Sequence, residues 1–124
     1  MNKNDFIYEA THQYFVANIN GIEICINDKQ ITDNILSLAE KILSGYHRKI
    51  AVISEYLSKD KCFVFAYGNI TKEEISQKLH EPNITIDKDG GLLTYCNHEF
   101  DDVHIIDIEF SGVLEEFYNV SIDG

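Results

Sequence analysis

Apolar and polar positions alternate most clearly at the two ends of this chain, and between them the apolar period lengthens from two to nearly four. Tyr14–Ile19 (YFVANI) and Ile22–Ile26 (IEICI) are β-prone runs separated only by Asn20-Gly21. That pair predicts a hairpin, because both turn residues must tolerate positive φ. In the second run Ile22, Ile24 and Ile26 fall on one face, and Glu23 and Cys25 on the other. Residues 1–13 show no such order, and Phe6, Ile7 and Tyr8 are the anchors of an otherwise loose start.

The middle of the chain reads as helix. Thr32 or Asp33 is placed to cap a helix running to about Ser44, with Gly45 at its stop. Ile35, Leu36, Leu38, Ala39, Ile42 and Leu43 give it a broad apolar stripe. A second helix is expected from Tyr46 to Ser58, with Ile50, Ile53 and Leu57 on one face. Residues 61–67 are apolar on both parities and fit a buried strand or a turn of helix, and periodicity does not separate the two. Thr71-Lys-Glu-Glu74 has the form of a capping box opening a short helix over 72–80, which Pro82 forbids to continue.

Short strands then return. Ile84–Ile86, the turn Asp87–Gly91, Leu92–Cys96 and the run His104–Phe110 suggest an antiparallel meander of about four strands. The order strands, helices, strands, without parallel crossover units, predicts a single α+β domain over residues 1–124 with an N-terminal β-hairpin and two or three helices.

Composition narrows the function classes. The chain has 124 residues, 44% of them apolar, which suffices for a core without disulfides or metal. Its net charge is −11, and residues 87–124 hold ten acids against Lys88 alone. A surface of this sign repels phosphate backbones, so nucleic acid and anionic membranes are not expected partners, whereas a basic protein is. Three cysteines without a C-x-x-C pair fit a reducing cytoplasm. No stretch approaches a membrane span, no apolar leader precedes residue 14, and no cofactor motif such as a Gly-rich phosphate loop is present.

The candidate chemistry lies between Cys96 and His104. His98, Asp102 and His104 are ligand types that zinc accepts, and they define the alternative of a small metal-dependent enzyme. Their spacing matches no helical ligand pair. On strand parity His104 shares a face with Ile106, Ile108 and Phe110, which predicts a partly buried histidine paired to Asp101, Asp102 or backbone. The adjacent carboxylates Asp101/Asp102 and Glu115/Glu116 point apart on extended backbone, and so do not flank a substrate. The preferred site is therefore a surface: Asp101, Asp102, Asp107, Glu109, Glu115 and Glu116 as one acidic patch rimmed by aromatics, binding a partner protein. Self-association into a homodimer through open sheet edges is a third reading.

Tyr67–Glu74 (YGNITKEE), Leu79, Pro82, Thr94–Ile106 (TYCNHEFDDVHII) and Ser121–Gly124 (SIDG) carry a resemblance. Over about residues 60–124 the chain resembles a family of small uncharacterised bacterial proteins with a C-terminal block of tyrosine, asparagine-histidine, paired aspartates, histidine and isoleucines. Proteins of this size and charge are suspected immunity proteins of toxin systems. The resemblance thus implies protein binding, and it supplies no catalytic residue.

Overall fold

Asn20 (φ 53°) and Gly21 (φ 86°) form the expected two-residue turn, and Ile19 pairs with Ile22 across it. The computed structural model describes all 124 residues. After a 3-10 turn over Lys3–Asp5 the order is β1 (Ile7–Glu9), β2 (Tyr14–Ile19), β3 (Ile22–Ile26), α1 (Asp33–Lys59), α2 (Lys61–Tyr67), α3 (Lys72–Leu79), β4 (Asn83–Ile86), β5 (Gly90–Tyr95), β6 (Ile105–Ser111) and β7 (Glu116–Asp123). The seven strands form one sheet in sequential order. The fold is α+β, with the N-terminal hairpin and a C-terminal meander made of β4 to β7.

One connection departs from the expectation of a purely antiparallel sheet. β3 and β4 pair in parallel, Ile24 with Ile84 and Ile26 with Ile86, across a crossover that contains all three helices. A sequential sheet interrupted by a long helical excursion can resume beside the strand it left, and two strands of buried isoleucines make the central seam. The start of the chain is also more ordered than expected. Phe6 is buried, and Ile7–Glu9 pair with β2 as a short edge strand.

Gly45 does not end a helix. α1 is continuous for 27 residues, and the predicted segments 33–44 and 46–58 are one element. Its buried positions Ile35, Ala39, Ile42, Tyr46, Ile53 and Leu57 follow a single stripe that passes through Gly45 without a phase change. The Thr32 hydroxyl caps it, accepting from the Ile35 amide at 3.1 Å. Asp60 closes α1 and opens α2: its amide donates to the Leu57 carbonyl at 3.1 Å, while its carboxylate accepts from the Phe63 amide at 3.0 Å. Residues 61–67 are therefore helix, and they end at Gly68 in a positive-φ conformation. At α3 the forward half of the capping box forms, from the Glu74 amide to the Thr71 hydroxyl at 3.2 Å.

The helices cover one face of the sheet. Ile24, Ile26, Ile84, Ile86, Leu93, Tyr95, Ile106, Ile108 and Phe110 line that face and join the helical stripe in a core of 23 buried residues. The Tyr46 and Tyr95 hydroxyls pair at 2.6 Å between α1 and the sheet, and Ser76 donates to Ser54 at 2.8 Å between α3 and α1. No buried side-chain polar atom lacks a partner.

Candidate binding surface

The opposite face of the sheet carries no helix, and its residues follow from register alone. Ile7, Val16, Cys25, Thr85, Leu92, Glu109 and Tyr118 are successive partners, one per strand, and make a row across the sheet. Val16, Cys25 and Leu92 make its middle largely apolar, with the Thr85 hydroxyl among them. The charges on the face are all acidic: Glu9, Glu23, Asp107, Glu109, Glu116 and Asp123 are all the acids the strands contain, and each stands at an outward position among uncharged residues such as Tyr14, Asn18 and Thr94. None of the seven strands contains a lysine, arginine or histidine.

Charge is thus divided between layers. Residues 33–79, the helical layer, hold seven bases and six acids, and the remainder holds three bases and fifteen acids. The uncovered face combines a negative field with a hydrophobic strip, the arrangement that steers and then anchors a cationic protein.

The structure separates the six carboxylates expected to form one patch. Asp107, Glu109 and Glu116 do share the uncovered face. Asp107 is held there by the Thr94 hydroxyl, which donates to it at 2.7 Å across the strand pair. Asp102 is exposed in the loop before β6, and Glu115 is exposed in the turn after it. These stand at opposite ends of a seven-residue strand, about 20 Å apart at the usual rise, so loop and turn do not adjoin. Asp101, only partly exposed, lies off that face. Its carboxylate turns toward α2, accepting from the Tyr67 hydroxyl at 2.8 Å, the Val103 amide at 3.1 Å, and the amide and Nδ1–H of His104 at 2.9 and 2.7 Å. Burial pushes the Asp101 carboxyl up, but the bonds from His104, Tyr67 and Val103 outweigh it and hold the group well below the aspartate range.

His98, Asp102 and His104 do not converge as metal ligands. The buried His98 accepts from the Phe100 amide at Nδ1 (3.1 Å) and donates from Nε2 to the His104 carbonyl at 2.7 Å. Both ring nitrogens are spent on the loop, in the neutral tautomer that those partners require. His104 pairs with Asp101, as parity suggested, and the Asp102 side chain joins neither histidine. Nowhere do three or more His, Cys, Asp or Glu side chains gather where they could hold a metal ion.

The loop is instead a latch. Its Glu99 amide donates to the Lys78 carbonyl at the end of α3, and the Glu99 carboxylate pairs with His80. Phe100 stacks among Phe63, Tyr67 and His98 at centroid distances of 5.1, 5.3 and 5.5 Å. Residues that first suggest chemistry therefore fasten the meander to α2 and α3.

Tyr118 and Leu92 belong to the surface and lay outside the predicted patch. Tyr118 escapes period-two reading because Asn119 (φ 63°) is a bulge between Ile108/Val120 and Glu109/Tyr118. The extra residue puts Tyr118 outward, although counting back by twos from Val120 and Ile122 would bury it. The signal was the asparagine itself, which tolerates the left-handed conformation.

The three cysteines are unpaired, and no helix is long and apolar enough to cross a membrane. No family model, no curated protein and no solved structure matches the chain.

Proposed function

We propose that this protein is a non-enzymatic binding domain of the cytoplasm whose uncovered sheet face receives a basic protein, with neutralisation of a basic toxin as the form of function that size, charge and the resemblance of the C-terminal block favour. The observation that carries the reading is the sorting of charge: every acid of the sheet faces outward on the uncovered side, and no strand bears a base. Solubility alone requires net charge, but not its concentration on one face beside an apolar strip. Three unpaired thiols fit the reducing compartment. The alternative of a metal-dependent enzyme loses support, since both ring nitrogens of His98 and Nδ1 of His104 are engaged within the loop and Asp102 converges with neither. Self-association through the β7 edge is disfavoured by the bulge at Asn119 and by the carboxylates of Glu116 and Asp123.

The test is capture at low ionic strength from the source cell with the immobilised chain. A basic protein is expected to be retained, to elute as salt rises, and to be lost when Asp107, Glu109 or Glu116 is reversed to lysine. Recovery of no basic protein, or retention unchanged by those reversals, would refute the reading.

A further inference from the structure

At one end of the uncovered face the Asp87–Gly91 turn stands over the row Leu92–Glu109–Tyr118 and closes a groove against it. Gly90 leaves the next outward position of β5 without a side chain, and none would fit: a Cβ there would lie 2.2 Å from the Phe110 carbonyl oxygen. Leu92 is therefore the apolar floor. Glu109 is its neighbour in register and Tyr118, itself 49% exposed, is the neighbour beyond. Asp87 and Asp89 form the opposite rim, where the Asp87 carboxylate accepts from the Asp89 and Gly90 amides at 3.0 and 3.1 Å and fixes the turn. None of Asp87, Asp89 and Glu109 is within 4.0 Å of a cationic group, and Lys88 is the one cation on the rim.

We propose that this groove seats an arginine side chain of the basic partner, an inference that rests on the function proposed above and names the anchor within it. Three features of the groove match such a side chain. Leu92 offers contact to its methylenes, the Tyr118 ring a face for the planar guanidinium, and Glu109 with the Asp87–Asp89 rim the carboxylates for its N–H groups. Lysine would satisfy the charge and the apolar stem, but it lacks the planar fork that stacks and bonds at once. The site therefore selects arginine over lysine, which a merely acidic surface does not.

The test is an NMR titration of the full 15N-labelled chain with hexa-arginine and, separately, hexa-lysine at the same ionic strength. Hexa-arginine is expected to shift the amides of residues 87–92, Glu109 and Tyr118, and to bind about threefold or more tighter than hexa-lysine. Tyr118→Ala should abolish the preference, weakening hexa-arginine by more than it weakens hexa-lysine. Glu109→Gln should weaken both peptides, and Lys88→Gln should tighten both. Amide dispersion reports whether each variant is folded, and Tyr118→Leu serves if the alanine variant is not. Equal affinities for the two peptides, or a preference that survives loss of the Tyr118 ring, overturn the arginine seat. Shifts confined to the Glu23, Thr94 and Asp107 part of the face overturn the seat and leave the acidic-face reading standing. No shift on the uncovered face with either peptide overturns both.

Discussion

At Asp101 a single carboxylate collects four hydrogen bonds from two residues of its own loop and one of α2. Its folded-state pKa lies below that of the unfolded chain, so its contribution to stability is complete above the ordinary aspartate value of about 3.9 and is lost as pH falls below it. Asp101→Asn is expected to lower the unfolding midpoint at neutral pH and to flatten the acid limb of stability. Urea unfolding across pH measures both, and an acid limb unchanged in the variant would place its origin elsewhere. The cysteines sort by environment in a similar way. Burial, with Glu23 nearby, pushes the Cys25 thiol up to about 11, against a weaker lowering by the Tyr14 hydroxyl. Cys96 is exposed but raised by partial burial and by the charges of Asp107 and Glu23, and Cys62 is exposed on α2. A thiol reagent at neutral pH should modify Cys62 first, Cys96 more slowly and Cys25 only on unfolding. Three equal rates would contradict the placement of Cys25 between strands.

Among the elements, α1 carries the most direct lesson about what the sequence allowed one to see. Gly45 is a sound stop signal only where the following residue leaves the stripe, and Tyr46 does not leave it: the buried positions run Ile42, Tyr46, Ile53 without a shift of phase. The glycine is tolerated rather than required. A Cβ there would meet only the Arg48 guanidinium at 3.7 Å, so Gly45→Ala is expected to stabilise the fold by about 1 kcal/mol, read as a rise in the denaturation midpoint. Gly91 is the opposite case. A Cβ there would lie 1.8 Å from the Thr85 carbonyl oxygen, so Gly91→Ala should destabilise by on the order of 3 kcal/mol by the same measurement. The hairpin, the Thr71 cap and the inward isoleucines of β6 were legible because each rests on local chemistry. The parallel seam of β3 and β4 was not, since pairing between strands almost sixty residues apart leaves no local pattern, and neither was the bulge that turns Tyr118 outward.

For the whole molecule, the division of charge matters more than its total. The sequence placed the excess of acid in the last third of the chain; the fold adds Glu9 and Glu23 from the N-terminal strands and withdraws Asp101 to the latch. Half of the expected patch therefore survives, and the face gains a largely apolar strip through Val16, Cys25 and Leu92. Once a basic partner is in hand, its affinity for variants of the two layers tests the central claim most directly. The measurement is calorimetric binding to wild type, to Glu109→Lys on the uncovered face, and to Glu74→Lys on the exposed side of α3. Glu109→Lys is expected to weaken binding about tenfold or more, with Glu74→Lys within about twofold of wild type. Equal affinity for wild type and Glu109→Lys, or a larger loss from Glu74→Lys, would contradict it.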